Sequence, residues 1–556
     1  MTDQGAGPGN KRFMAWPSGG PPRGRDGRGR RILAAGLLTV VVGGVAVGAV
    51  WLGGKLQSPR PSSTAPDTSS PGPTTGASSS PSPTATATAP QAVDLAVVVA
   101  FDDYKVNAIT RAQLKTRLEA GSLIVPCGAE AEVAHALGST GQGAAPCVAA
   151  DAITARLGPG DVDVALIPPA LVTPRVKVVP LESADLFGPA TARTLPYPLT
   201  IKPPATWPAA WADFAANDVR VVVTTGVNCP DTSVAYQTIT KGRGWAWLGE
   251  AGTARIAGTH FDTRFDWTVV EPVRTGHVGV VKALVRGADV AMSDFECPMT
   301  KAWKAHSGGT TFTIDPRVAQ LMADFGFDVA TIASDHMSNA GAGAVGETVD
   351  AFRAAGVQPT GGGRNLDDAL MPAVIDANGI TFGFVGFNAI GGSTSATASR
   401  PGTANLTSAN VKAAVARARA AGAQVVIALV QWSDVEYQPK FTDFQLGLVK
   451  TLFDAGVDHI VGDDFHWAGA VDISLSGSRY RYVGASQGNF WFGQDWSRQT
   501  QEGVITSLTF VGTRLVQVRL QPTVLVDNAQ PNLEDPATDG QFVLKQVLSV
   551  SSLPAR

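Results

Sequence analysis

Val219-Arg220-Val221-Val222-Val223-Thr224-Thr225-Gly226-Val227-Asn228-Cys229-Pro230-Asp231 opens the most regular part of the chain. The apolar run 219–225 predicts a buried strand, and the Gly, Asn, Pro and Asp after it predict a loop at its C-terminal end. The same grammar recurs downstream, with strands expected at 289–293, 328–332, 380–387, 424–430 and 459–461. A closing antiparallel pair is expected at 504–511 and 515–520. Between them the spacing predicts a helix over 411–420, with Ser408 as N-cap and Val411, Ala414, Val415 and Ala418 on one face. A second helix, 441–453, places Phe441, Phe444, Leu448 and Leu452 at helical spacing. Strands alternating with helices make an α/β domain, and such domains carry their functional loops where strands end.

Working outward, residues 93–205 read as a smaller α/β lobe, with strands at 95–100, 162–167 and 176–179 and a helix at 109–120. His135 in this lobe has no catalytic spacing and reads as a surface or structural residue. Residues 55–92 are almost wholly Pro, Ser, Thr, Ala and Gly, too poor in apolar groups to offset the entropy of ordering. Extended like polyproline, this linker reaches on the order of 100 Å. Residues 32–54 hold no charge and are dominated by Val, Ala, Leu and Gly. As a helix they span about 35 Å, enough for a hydrocarbon core of about 30 Å. Seven Lys/Arg precede this run and only Lys55 and Arg60 follow closely. The positive-inside bias therefore puts residues 1–31 in the cytoplasm as a basic tail and the body outside the cell membrane. A cleaved signal peptide is the rival reading, weakened by the length of the run and by the want of an A-x-A site soon after it.

Of 556 residues, 44% are apolar and only 16% charged. Residues 1–60 carry nine Lys/Arg against two Asp/Glu, so within a net charge of −3 the rest of the chain is acidic. An acidic body argues against nucleic acid as a partner, since phosphate binding calls for a basic field. Four cysteines (Cys127, Cys147, Cys229, Cys297) contain no CxxC pair, which weakens zinc-ribbon and thioredoxin readings. In an oxidising compartment an even count favours disulfides. Cys127 and Cys147 fall in the same lobe, so they can pair without crossing domains.

Four groups stand at strand ends. The first is Thr225 to Asp231, and the second Ser293-Asp294-Phe295-Glu296-Cys297-Pro298. The third is Ala333-Ser334-Asp335-His336-Met337-Ser338-Asn339. The fourth joins Gln431-Trp432-Ser433-Asp434-Val435-Glu436-Tyr437, Gly462-Asp463-Asp464-Phe465-His466 and Gln487-Gly488-Asn489-Phe490. In this order they resemble the bacterial capsule-synthesis family (CapA-type, poly-gamma-glutamate), over roughly residues 219–523, leaving 524–556 as a C-terminal extension. The resemblance implies an α/β fold: a calcineurin-like metallophosphoesterase sandwich, here preceded by the small lobe, the linker and the membrane helix. It also implies that Cys229 and Cys297 lie on neighbouring strand ends and can pair, with two buried free thiols as the alternative.

The scaffold pieces Glu436-Tyr437 and Gly488-Asn489-Phe490 match the family, whereas the metal pieces depart from it. Val227 stands where a metal-binding Asp is expected, Asp294 for Asn, Asp335 for Asn, Gln431 for His, and Asp463 and Asp464 for two His. A two-metal phosphoesterase clamps its ions about 3.5–4 Å apart with carboxylates and imidazoles. What remains here for metal binding is oxygen-rich: Asp294, Glu296, Asp335, His336, Asp463, Asp464 and His466. Such a set suits Mn²⁺, Mg²⁺ or Ca²⁺ better than zinc. The alternative is a metal-free cleft in which Asn228, Gln431, Glu436 and Asn489 bind a polar ligand. The resemblance assigns catalytic roles to Asp335, His336 and His466.

Each residue also has a plain structural reading. His336 and His466 taken alone would be core histidines, and Asp463 and Asp464 would cap a loop. Trp432, Trp467, Trp491 and Trp496 read first as packing. Gly341 to Gly346 fits GxGxxG but lies too far past its strand for a dinucleotide fingerprint. Gly484 to Gly488 fits GxSxG, yet no His follows it in the chain. His260 and His277 are left outside the site. Three functions therefore stand. One is a capsule or envelope-polymer biosynthesis protein with a degraded phosphoesterase-like site, working with the polymer or with other capsule-assembly proteins. Another is an active metal-dependent phosphoesterase or hydrolase on such a polymer or its phosphorylated precursor. The last is a substrate-binding or sensing role for the 93–205 lobe.

Overall fold

The computed structural model describes residues 92–140, 146–161 and 163–553. The basic tail, the span expected at 32–54 and the linker up to residue 91 lie outside the described residues. Among the described residues no helix is long and apolar enough to cross a membrane.

Two sheets lie face to face. In the ten-stranded sheet, Val219–Asn228 pairs in parallel with Val290–Phe295, which is followed by Val329–Thr331 and Gln358–Thr360, also parallel. On its other side come the antiparallel strands Glu502–Val511, Arg514–Val526 and Gln530–Leu533, then the hairpin Thr253–Asp262/Trp267–Gly276. The short strand Asn489–Trp491 also pairs with Val219–Asn228. The six-stranded sheet runs Ala373–Ala377, Ile380–Asn388, Val425–Gln431, His459–Asp463, Arg479–Gly484, Val471–Ser476, with its second to fifth strands parallel. The expected strands are all present, with Val329–Thr331 shorter than expected and Val219–Asn228 and Arg514–Val526 longer, the last by seven residues.

The unbroken apolar runs follow from burial on both faces. Side chains alternate along a strand, so Val222 joins the core between the sheets while Val221 and Val223 face a layer of helices. Phe382, Phe384, Ile427 and Leu429 fill the same inter-sheet core. On the outside of the ten-stranded sheet, helices Val280–Arg286, Val318–Phe325 and Ala342–Ala355 contribute Val281, Val285, Met322, Phe325, Val349 and Phe352. On the outside of the six-stranded sheet, helix Ser408–Ala420 buries Val411, Ala414, Val415 and Ala418 as expected. Its cap is Thr407, not Ser408: Thr407 keeps an extended backbone and accepts a hydrogen bond from the Asn410 amide, whereas Ser408 is already helical. The next helix, Asp443–Asp454, starts after Phe441 through a Thr442/Gln445 capping box and leaves Phe444 40% exposed.

The lobe is a five-stranded sheet ordered Cys147–Val148, Leu123–Pro126, Val164–Ile167, Ala96–Ala100, Val176–Val179. Val97, Val99 and Leu166 face its helices, Arg111–Glu119 and Glu130–Leu137, while Val98, Ala165 and Val178 pack into the core of the larger body. Arg193 grips Asp289 with two hydrogen bonds of 2.9 Å across this seam. Residues beyond 523 finish the strand Arg514–Val526, add Gln530–Leu533, and end in helix Gln541–Leu548. That helix puts Val543, Leu544 and Val547 into the inter-sheet core.

Candidate metal centre

Parallel strands end at the same edge, so the loops after Val219–Asn228, Val290–Phe295, Val329–Thr331, Val425–Gln431 and His459–Asp463 converge. Glu296 follows its strand directly. Asp335 and His336 sit in the loop before helix Ala342–Ala355, and Asp464 and His466 follow Asp463. Two glycines allow the approach: a Cβ on Gly226 would stand 1.9 Å from the Gly488 carbonyl oxygen, and one on Gly462 would stand 2.2 Å from Trp432 Nε1.

Glu296 is common to two clusters. With Asp464 and His466 it offers ligand atoms that all lie within 4.8 Å of one another, and the same holds for Glu296, Asp335 and His336. Gln431 ties the clusters together. Its Nε2 donates to Asp335 Oδ1 (3.0 Å) and Asp464 Oδ1 (3.0 Å), and its Oε1 accepts from the Asp335 amide. His466 Nδ1 lies 2.9 Å from Asn489 Oδ1, which calls for a proton on Nδ1 and leaves Nε2 as the ligand atom. Asn489 is itself held by donating to Gln494 Oε1 and the Thr500 carbonyl. Asp464 (φ 91°) and His466 (φ 56°) both occupy the left-handed region, as does Tyr437 (φ 58°). Non-glycine residues adopt it at a cost and concentrate at functional sites.

Asp294 and Asp463 stand behind these clusters. Ser486 Oγ and the Asp464 amide each donate to Asp463 Oδ1 at 3.0 Å. Asn228 spends its amide on Gly226 O (2.9 Å), Asp294 O (3.1 Å) and Ser293 Oγ, which leaves Oδ1 over. Glu436 is exposed on its loop and bears on the site through its charge. Val227 is fully buried in the apolar layer and supplies no ligand atom. Reading the sequence missed Ser293, whose only signal was adjacency to Asp294, and Ser486, whose only signal was a GxSxG spacing that points to other chemistry. It also missed Asp231, whose buried carboxylate takes hydrogen bonds from His306 Nε2 and the Thr313 amide, both 2.8 Å. Trp432, Trp467, Trp491 and Trp496 are all buried. His260 pairs with Glu271 (3.0 Å) in the hairpin and belongs to neither cluster.

The electrostatics are one-sided. Burial, reinforced by neighbouring carboxylates, drives Asp294, Glu296 and Asp464 well above the usual carboxylate range. Burial alone pushes Asp463 up to about 7, and it holds His466 below the ordinary imidazole value. Buried oxygens without any hydrogen-bond partner include Asp294 Oδ2, Glu296 Oε2 and Asp463 Oδ2. Leaving such atoms bare is costly, and at Glu296, the member shared by both clusters, a cation would satisfy the bare oxygen. Carboxylates with one or two imidazoles make a donor set that fits a hard divalent ion.

Residues 260–494 match the family profile described as "Bacterial capsule synthesis protein PGA_cap". The capsule biosynthesis protein CapA of Bacillus anthracis is 25% identical over 233 residues, and the PGA biosynthesis protein CapA of Bacillus subtilis is 26% identical over 230. Each match covers 40% of this chain, which spans 56% and 59% of the respective relatives. Among solved structures, a 5'-nucleotidase precursor from Thermus thermophilus overlays at TM-score 0.32 and 13% identity, over 59% of this chain and 58% of the other. The calcineurin-like phosphoesterase YfkN of Bacillus subtilis overlays at TM-score 0.26 and 13% identity, over 59% and 98%. These overlays are too slight to transfer any feature. The matched segment carries the candidate ligands from Asp294 to Asn489, and over it the chain is similar to the bacterial capsule synthesis proteins.

Proposed function

We propose that this chain is a membrane-tethered, extracytoplasmic protein of capsule or envelope-polymer biosynthesis, whose cleft binds a divalent cation through an oxygen-rich remnant of a calcineurin-like phosphoesterase site. The observation that carries the reading is Glu296: buried, shared by two clusters, and left with a bare Oε2. Glu296, Asp464 and His466 Nε2, together with Asp335 and His336, are the residues that would hold Mn²⁺, Mg²⁺ or Ca²⁺. A bound ion would supply Lewis acidity and neutralise an anionic group of the polymer. Gln431 keeps Asp335 and Asp464 oriented, and Asn489 keeps the proton of His466 on Nδ1. The tether rests on residues 32–54 and the charge bias around them.

The second reading, a working phosphoesterase, is favoured by Asp335 and His336. Their side chains are 25% and 23% exposed, beside the buried ligands, so an acid/base pair faces incoming substrate. Metal analysis of the detergent-purified full-length protein, beside hydrolysis of bis-p-nitrophenyl phosphate with added Mn²⁺, separates the outcomes. Stoichiometric metal without turnover supports the first reading. Metal with turnover abolished by His336→Ala supports the second, and absence of any metal binding overturns both. Retention of the protein in membranes after carbonate washing tests the tether, which its release would refute.

A further inference from the structure

A cavity of about 430 Å³ lies on the seam between the lobe and the larger body, away from the clustered carboxylates. Tyr104, Asn107 and Lys177 line it from the lobe; Leu284, Arg519 and Gln521 line it from the body. Lys177 is the unusual member. It is 4% exposed, on the strand Val176–Val179, and its Nζ donates to the Val106 carbonyl (3.1 Å) and Asn107 Oδ1 (3.0 Å) while lying 4.3 Å from the centre of the Tyr104 ring. Among the described residues no carboxylate comes within 4.0 Å of that ammonium. A buried lysine is ordinarily paired, because an uncompensated charge out of water is expensive.

The other cation at the cavity is already spent. Arg519 Nη1 holds Asp185 Oδ2 and Nη2 holds the Val178 carbonyl, each at 2.6 Å. Lys177 is therefore the cation at the cavity that has no carboxylate in ion-pair contact. Val179, Pro180, Val280 and Leu284 give the cavity an apolar wall, and Gln521 adds a polar side chain at the body side. Burial, with help from Arg519, brings the Lys177 ammonium down to about 7, against the pull of Asp103. An anion beside it would restore the charge.

We propose that this seam cavity is a second ligand site, which takes a single carboxylate carried on a short apolar stem, with Lys177 as its anchor. One cation without an ion-pair contact matches a monoanion better than a phosphate dianion, which would need further donors. The volume suits a small ligand. Because the site is built from both the lobe and the body, occupancy would stabilise their contact.

The test uses full-length protein and three probes in calorimetry: isovalerate, its neutral analogue isovaleramide, and inorganic phosphate. Isovalerate is expected to bind one per chain, with isovaleramide and phosphate at least about tenfold weaker, since one charge-assisted hydrogen bond is worth roughly a 10- to 100-fold change. Lys177→Met should lose isovalerate binding and Lys177→Arg should retain part of it. Lys177→Met has a second readout, metal content, which should stay at the parent's level and shows that the protein is folded. Phosphate binding more tightly than isovalerate would overturn the carboxylate assignment. Equal binding by parent and Lys177→Met, or no binding of any probe to the parent, would overturn the site.

Discussion

At Glu296 two costs meet, burial and like-charge repulsion, and both act on a group whose Oε2 has no partner. Replacing it with the isosteric amide therefore has opposite effects in two conditions. In EDTA, Glu296→Gln should stabilise the protein by about 1–3 kcal/mol, because the amide removes a buried carboxyl whose ionisation is penalised by burial and by its acidic neighbours. With Mn²⁺ present it should lose the metal-induced rise in Tm that the parent shows. Thermal melts in both buffers check this, and a loss of stability in EDTA would mean the carboxylate has a partner other than a cation. The imidazoles give a cleaner contrast. His466→Ala and His336→Ala should each abolish stoichiometric metal, while His260→Ala, which only releases Glu271 in the hairpin, should bind as the parent does. Metal retained by either of the first two variants refutes the ligand set.

Strand spacing governs the next scale. Gly226 lies where Val219–Asn228 passes the chain at Gly488, with room for no side chain. Gly226→Ala should cost about 1–3 kcal/mol through overpacking. It should also weaken metal binding, because Gly488 adjoins Asn489 and so the orientation of His466; melts and metal titration measure the two effects. Farther along the same sheet, Glu502 opens Glu502–Val511 and Glu534 follows Gln530–Leu533, both buried. Burial pushes Glu534 up to about 8 from 4.5. Between those values the folded protein holds a proton that the unfolded chain has released. The stabilisation is therefore complete below pH 4.5 and is lost as pH rises toward 8, by up to about 1.4 kcal/mol per pH unit. Melts in EDTA from pH 5 to 8 should show a falling Tm in the parent and a flatter profile in Glu534→Gln. A Glu534→Gln profile as steep as the parent's would remove Glu534 as the source.

Across the whole molecule, two disulfides join distant parts of the chain. Cys127–Cys147 closes the lobe over 20 residues, and Cys229–Cys297 spans 68 with Cα atoms 5.3 Å apart. The chain-entropy model gives about 3.3 kcal/mol for the shorter span and about 4.4 kcal/mol for the longer. The second also pins the loop of Asn228 to the loop of Glu296, at the place where Val227 supplies no ligand. Cys229→Ser/Cys297→Ser should therefore lower Tm and weaken metal binding, whereas Cys127→Ser/Cys147→Ser should lower Tm alone. Non-reducing peptide maps should contain only these two pairs, and a Cys127–Cys229 peptide would contradict the arrangement.

The parallel strands, the helix faces of 408–420 and the strand-end position of Glu296, His336 and His466 were legible from local pattern, because hydrophobic period and turn residues act over a few positions. Thr407 and Ser408 were not separable, since both are capping residues and backbone angles alone decide which one leaves the helix. Residues 524–553, read only as a C-terminal extension, could not be assigned to the sheet and the inter-sheet core from their own pattern, because their burial depends on strands far earlier in the chain. The two clusters around Glu296 and the bridging role of Gln431 belong to the same class. A carboxylate motif names candidate ligands, but only the converging edge of two sheets decides which oxygens meet within ligand distance. Lys177 shows the limit most plainly: in sequence it is a charge within an apolar run, and its unpaired burial beside Tyr104 exists only once the lobe docks on the body.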